Sequence, residues 1–320
     1  MSMKVSCFGT RGSTPIARPD SIEFGGNTTC LLVESEALPA NHWLVVDAGT
    51  GIVPLGGIAL QQGVKEMTIL STHWHHDHTQ GALLCPITFF KDRQINWYGP
   101  LENGIGPKQV LENLMKPPYF PVDFAEVASH FKCKAIDHPG GKVIAIHPRG
   151  GIKLMTIEEL ERFEVALPQQ LPFGKSRQAI SECLIIRMLK TNHLERTVSY
   201  RFEERSTGKV FVFLTDHENT DGLPKSLCSH LKNADLLIMD SQYSRQKYDN
   251  VTAGFGHGTP DYCALVAQQV NAKRLGLTHH DPSSSDTDVK AILDSAKKCL
   301  GLGDAKTEVF ACADYMELEV

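Results

Sequence analysis

The stretch His73-Trp74-His75-His76-Asp77-His78 gathers several metal-binding side chains within one short tract. His73 and His75 stand two residues apart. In extended chain their side chains leave from the same face, so both reach one cation. Asp77 and His78 follow just past that strand, where a turn directs them at a second cation. Neutral imidazole and carboxylate suit Zn²⁺, Mn²⁺ or Fe²⁺, and no thiolate is required. A histidine-rich surface loop has a similar composition. This tract, however, is not of low complexity, is fed by the apolar run Met67 to Leu70, and is followed by Gly81 as a turn residue. Two cations about 3.5–4 Å apart need further ligands, including a bridging carboxylate. The candidates are His193, Asp216, His257 and His279, three of them at or beside the ends of apolar runs. His42, His130, His138, His147 and His230 are expected to be surface or structural residues.

Strands must deliver these groups. Met3 to Gly9, Leu31 to Glu34, Trp43 to Val46 and Met67 to Leu70 read as short buried strands, the last two running into Asp47 and His73. Lys209 to Leu214, Ala234 to Met239 and Lys273 to Leu277 repeat the form and end near Asp216, Asp240 and His279. Helices are expected over Lys108 to Met115, Pro260 to Asn271 and Asp288 to Cys299. A hairpin-like pair is expected at Cys183 to Lys190 and Thr197 to Glu203. The alternation predicts a mixed sheet arrangement covered by helices, with polar residues gathered at strand ends.

The chain has 320 residues, 42% hydrophobic and 22% charged, with a net charge of −5. That size buries roughly three quarters of the unfolded surface. No staple is needed for folding, so a metal is expected to be functional. The charge argues against a generally basic nucleic-acid binder. The 9 cysteines include no CxxC pair and read as reduced thiols. Met1 to Thr10 lacks the basic and apolar regions of a signal peptide, and no apolar run reaches the ~18 residues of a membrane span. A cytoplasmic protein of one domain over 1–320 is expected. The segment around 100–131, with Tyr119-Phe120-Pro121, is expected to form either a lid or a homodimer contact.

The tract is the HxHxDH signature, and the chain thereby resembles the metallo-β-lactamase superfamily. Further motifs stand in the family's order. They are Asp47 in Val-Val-Asp-Ala-Gly-Thr-Gly, His193 in Thr-Asn-His, Asp216 in Phe-Leu-Thr-Asp-His-Glu, and His279 in Leu-Thr-His-His-Asp-Pro. The resemblance implies a four-layer αββα sandwich, two mixed sheets flanked by helices. It implies that His73, His75 and His193 hold one metal, that Asp77, His78 and His279 hold the other, and that Asp216 bridges them. Asp47 would orient a ligand, expected to be a histidine of the tract. The cofactors implied are two divalent ions per chain, Zn²⁺ or Mn²⁺. Asp240 in Leu-Ile-Met-Asp-Ser-Gln-Tyr and His257 in Gly-Phe-Gly-His-Gly-Thr resemble a pair in the phosphodiesterase branch, which includes tRNase Z and cyclic-nucleotide phosphodiesterases. In tRNase Z the acidic partner is a glutamate and the histidine precedes Ser-Thr, and no glycine- and lysine/arginine-rich arm is evident here. These departures move the expectation toward a small or cyclic phosphodiester or nucleotide and away from long nucleic acid.

Hydrolysis of a phosphodiester needs a nucleophile at neutral pH, charge neutralisation and a proton for the leaving oxygen. Two cations bridged by Asp216 would hold a shared water as hydroxide. His257, held by Asp240, fits the acid. Asp77, His257 and Asp240 are the groups expected to act in catalysis, and no substrate-binding residue is assigned. A structural hydrogen bond would also explain the Asp240–His257 pair. His280 and Asp281 are open between support of a ligand and surface exposure, and His76 and His217 are assigned no role. Arg11, in a glycine-rich loop, is placed to pair with a phosphate, although a turn explains that loop equally well. Gly174-Lys175-Ser176 lacks the first glycine of a phosphate-binding loop, since position 169 is Gln. Two rival functions use the same ligands: hydrolysis of a carboxylic ester, lactone or thioester, and non-hydrolytic metal sensing.

Overall fold

The alternation of apolar residues along the central strands decides the architecture. In Lys209–Leu214, Phe211 and Phe213 pack in one core while Val212 and Leu214 pack in another. A strand buried on both faces needs a layer on each side. The computed structural model, which describes residues 3–220, 222–301 and 306–320, supplies both layers. The remaining residues of the expected 1–320 domain lie outside that description.

One seven-stranded sheet contains β1 (Lys4–Gly9), β2 (Cys30–Glu34), β3 (His42–Val46), β4 (Glu66–Leu70), β5 (Gln94–Pro100) and β6 (Phe131–Ile136) in that spatial order, with β17 (Glu317–Glu319) beside β1. The second sheet has eight strands. It contains β7 (Lys142–His147) and β8 (Gly151–Thr156), then β11 (Leu184–Lys190), β12 (Val198–Glu204), β13 (Lys209–Leu214), β14 (Leu236–Asp240), β15 (Arg274–Thr278) and β16 (Glu308–Ala311). A small hairpin pairs β9 (Gln170–Phe173) with β10 (Ser176–Ala179). Each large sheet is mixed. β3 to β6 run parallel, as do β13 to β16, while the hairpin strands are antiparallel.

Val5, Leu31, Val33, Leu44 and Val46 of the first sheet meet Ile144, Ile186, Tyr200, Phe202, Phe211 and Ile238 of the second in a shared core. The outer face of the first sheet packs Val45, Met67, Ile69 and Trp97 against Ile52 and Leu55 of the helix Ile52–Gln61. The outer face of the second packs Val212, Leu237 and Leu275 against the helices Lys225–Leu231, Pro260–Gln269 and Asp286–Gly301. Helix, sheet, sheet and helix therefore stack as the expected αββα sandwich. The segment around 100–131 is the crossover from β5 to β6. Its helices bury Leu111, Phe124 and Val127 on the first sheet, while Tyr119 is 82% exposed.

Candidate metal centre

The expected site residues converge at one edge of the sandwich, at the C-terminal ends of parallel strands. Asp47 follows β3, the histidine tract follows β4, Asp216 follows β13, Asp240 ends β14 and His279 follows β15. His193 lies in the connection from β11 to β12. Asp47, Asp216 and His279 have φ of 60°, 46° and 61°. Non-glycine residues in this left-handed region carry strain of about 1–3 kcal/mol each, and such strain gathers at functional sites.

Candidate ligand atoms of His73, His75, His193 and Asp216 lie within 4.8 Å of one another, as do those of Asp77, His78 and His279. The two oxygens of Asp216 divide between the sets. Oδ2 lies 3.6 Å from His73 Nε2 and 3.8 Å from His193 Nε2, whereas Oδ1 lies 3.3 Å from His78 Nε2 and 3.4 Å from His279 Nε2. Nε2 of His73 and of His193 are buried nitrogens with no hydrogen-bond partner. Buried polar atoms are rarely left so, and a cation among these donors accounts for them. The residues present therefore fit a divalent metal ion.

Hydrogen bonds away from the cluster orient the rings. Asp47 Oδ2 accepts from His78 Nδ1 at 2.8 Å, and the same carboxylate accepts from the Thr72 amide and hydroxyl. His78 is thus the tract histidine that Asp47 holds. His193 Nδ1 donates to Gly256 O at 2.9 Å. His279 Nδ1 donates to Gln242 Oε1 at 3.2 Å, and the Ser13 amide donates to Asp77 Oδ2 at 2.7 Å. Gln242 and Ser13 have no signal in the sequence beyond lying near a motif.

Burial and charge oppose each other in this cluster. Burial disfavours the imidazolium of His78, but Asp77, Asp216 and Asp47 outweigh it and hold the ring well above the usual histidine range. Burial likewise acts against His279, and Asp216 and Asp77 push it up to about 9. Burial and the neighbouring His78 lower His73. In protein stripped of metal, His279 is therefore charged at neutral pH, and a cation must displace its proton. Apparent metal affinity is expected to rise as pH climbs from 7 toward 9. Chelator competition at several pH values measures this, and a flat profile would count against it.

His257 Nδ1 donates to Asp240 Oδ2 at 2.9 Å, and its ring stacks on that of His279 with centroids 4.9 Å apart. His257 lines an open cleft of roughly 380 Å³ together with Ser13, Trp74, His75, His76, Asp77 and Asp216. An atom of His257 also groups with Asp216 and His279 at metal-ligand spacing. Its Nδ1 is committed to Asp240, which leaves Nε2 for a proton.

Several sequence readings change. Arg11 is fully buried and donates to the carbonyls of Gly25, Asp281 and Ser284, so it ties loops together and meets no phosphate. His280 is buried, with Nε2 donating to Cys312 O at 2.8 Å, and Asp281 pairs with Lys247, so neither is a surface group. His217 is buried and bonds Tyr262 through Nε2, while His76 is exposed. Gly174 and Lys175 are the turn of the β9–β10 hairpin.

Glu218 is a further residue that sequence reasoning passed over. It is buried and accepts from Tyr248 Oη at 2.7 Å and from the amides of Gly254 and Gly256 at 2.6 and 2.9 Å. Gly256 has φ of 88°, and a Cβ there would lie 2.1 Å from His193 Nδ1. Glu218 thus holds the loop whose carbonyl aims His193. Glu218→Ala is expected to cost about 1–3 kcal/mol of stability for the amides left unpaired. It should also weaken metal binding by roughly 10–100-fold. Thermal melts with and without Zn²⁺ separate the two effects.

A family model described as a beta-lactamase superfamily domain matches residues 42–280. The chain belongs to this superfamily. A ribonuclease Z of Thermoplasma acidophilum is 26% identical over 265 residues, covering 79% of this chain and 78% of that one. A ribonuclease Z of Archaeoglobus fulgidus is 25% identical, covering 100% and 98%. Among solved structures, the metallo-β-lactamase fold protein YhfI of Bacillus subtilis superposes with a TM-score of 0.62 at 19% identity, with 100% of each chain covered. The superfamily member's fold agrees with that likeness, and its expected place in the phosphodiesterase branch agrees with the two relatives. The same relatives lend no support to a preference for small substrates over long ones.

Proposed function

We propose that this superfamily member is a metal-dependent phosphodiesterase with a two-ion centre. The observation that carries the reading is the division of Asp216, one carboxylate oxygen toward His73 and His193 and the other toward His78 and His279. Two divalent cations in these sets would activate water and offset charge on the phosphoryl oxygens. The chain's own residues do the rest. Asp216 fixes the spacing of the two sets. Asp47, Gln242 and Gly256 hold imidazoles at fixed angles. His257 carries a proton at Nε2 for the departing oxygen, and Asp240 fixes its tautomer through Nδ1.

The substrate we favour is a small or cyclic phosphodiester. The cleft has the volume of a small ligand, and the described residues lining it include no lysine or arginine to follow a polyanionic backbone. The ribonuclease Z relatives favour a second reading, cleavage of RNA. Bis-p-nitrophenyl phosphate, 2′,3′- and 3′,5′-cyclic nucleotides, a 3′-extended RNA and a thioester, each with Zn²⁺ or Mn²⁺, form the decisive panel. Turnover of the RNA alone would replace the small-substrate reading. Turnover of the thioester alone would move the chain to carboxylic chemistry, and metal binding with no turnover would leave a sensor. We propose that the 100–131 crossover serves as a lid or a dimer contact, a reading that the exposure of Tyr119 supports.

A further inference from the structure

We propose that the hydroxyl of Ser13 binds substrate directly, donating its hydrogen to a non-bridging oxygen of the phosphodiester. The inference rests on the phosphodiesterase reading above and adds a substrate contact from outside the ligand sets. Ser13 is exposed and lines the cleft with Asp77, Asp216 and His257. Among the described residues lining that cleft it is the only one with a hydroxyl. The two carboxylates beside it offer an anion no donor.

A relay of hydrogen bonds sets which way the hydroxyl acts. His279 Nδ1 donates to Gln242 Oε1 at 3.2 Å, while its Nε2 faces Asp77 and Asp216. An amide whose oxygen is so engaged turns its nitrogen the other way. Gln242 Nε2 accordingly donates to Ser13 Oγ at 3.1 Å. Gln242 is buried, so that bond holds the hydroxyl from the protein side. Ser13 Oγ is the acceptor in it, and its own hydrogen remains to be given. No acceptor for that hydrogen lies within bonding distance among the described residues.

The loop that carries the hydroxyl is held close against the centre. The Ser13 amide donates to Asp77 Oδ2 at 2.7 Å. The Gly12 amide donates to His280 O at 3.0 Å, and a Cβ on Gly12 would lie 2.3 Å from His279 Nδ1. Arg11 ties the same loop to the carbonyls of Gly25, Asp281 and Ser284. Ser13 itself has φ of 62°, a conformation that glycine adopts without strain. What serine adds there is a hydroxyl, set in place before substrate arrives. A hydrogen bond from it to a charged phosphoryl oxygen is of the stronger, charge-assisted kind.

Ser13→Ala and Ser13→Gly both remove the hydroxyl and keep the amide that holds Asp77. The zinc-loaded full chain and the two variants are compared in three measurements. These are turnover of bis-p-nitrophenyl phosphate, binding of inorganic phosphate by calorimetry, and bound zinc by elemental analysis. The expected result is a fall of about 10–100-fold in kcat/KM in both variants. Phosphate should bind roughly 10-fold more weakly, and zinc content should stay at the wild-type value. Unchanged kcat/KM and phosphate affinity in both variants would overturn the assignment. So would loss of zinc in both, because Ser13 would then serve Asp77 and not the substrate. Wild-type protein that neither turns over a phosphodiester nor binds phosphate would instead overturn the phosphodiesterase reading, and the assignment with it. Glycine suits the backbone at this position, so Ser13→Gly is expected to fold even if alanine is poorly tolerated, and a thermal melt checks this.

Discussion

Asp216→Ala is expected to lower turnover by about 10³-fold or more, on the order of 4 kcal/mol of barrier, and to reduce bound metal below two ions per chain. No other carboxylate of the centre touches both ligand sets, with Oδ2 facing His73 and His193 and Oδ1 facing His78 and His279. Alanine leaves the imidazoles facing one another with no shared anion between them. The charge of His279, which Asp216 helps to push up to about 9, should fall as well. Metal affinity in the variant is therefore expected to be weaker and less dependent on pH. Asp216→Asn keeps the shape and one acceptor oxygen, so it should retain more metal than alanine while remaining slow. Elemental analysis and initial rates on the same preparations measure both quantities. Two ions per chain with near-native turnover in Asp216→Ala would rule out the bridge.

His257→Ala should act on rate while leaving metal in place. Loss of a positioned general acid typically costs about 10²–10⁴-fold. The size should depend on the leaving group. A ribose hydroxyl departs as a strong base and needs the proton at His257 Nε2, whereas p-nitrophenolate departs readily without one. The defect is thus expected to be large on a cyclic nucleotide and small on bis-p-nitrophenyl phosphate. Asp240→Asn, which disturbs the partner of Nδ1 at 2.9 Å, should show the same pattern at lower amplitude. An equal defect on both substrates would argue against proton donation. Loss of an ion from His257→Ala would place the ring in the ligand set with Asp216 and His279, whose spacing permits it.

The centre was legible where its residues sit at the ends of uniformly buried strands. β3, β4, β13, β14 and β15 show this pattern, and each runs into a site residue. Burial on both faces leaves little freedom in assigning such runs. The helix Ile52–Gln61 was not legible, because Pro54, Gly56 and Gly57 have poor helical preference. A close approach explains Gly56, where a Cβ would fall 2.6 Å from Cys85 Sγ. β6 was missed for another reason. It is an edge strand with alternating exposed residues, Lys132 and Lys134 among its sequence, and such strands carry a weak apolar signal. The supporting residues Glu218 and Gln242 act through ordinary hydrogen bonds across the chain, and local sequence does not record partners 36 or 37 residues away. Arg11 shows the converse, a residue of the right type for phosphate that folding commits to backbone carbonyls.

Each proposed ligand set draws on both sheets. His73 and His75 follow β4 of the first sheet while His193 lies between β11 and β12 of the second, and Asp77 and His78 face His279 in the same way. The centre is in effect a seam between two halves of the chain. A nascent chain with only β1 to β6 formed presents an incomplete set, and so does a fragment holding only the second sheet. In the two-ion reading hydrolytic competence would require both sheets to have met, and an ion seated across the seam would favour the closed sandwich over any state in which the halves have parted.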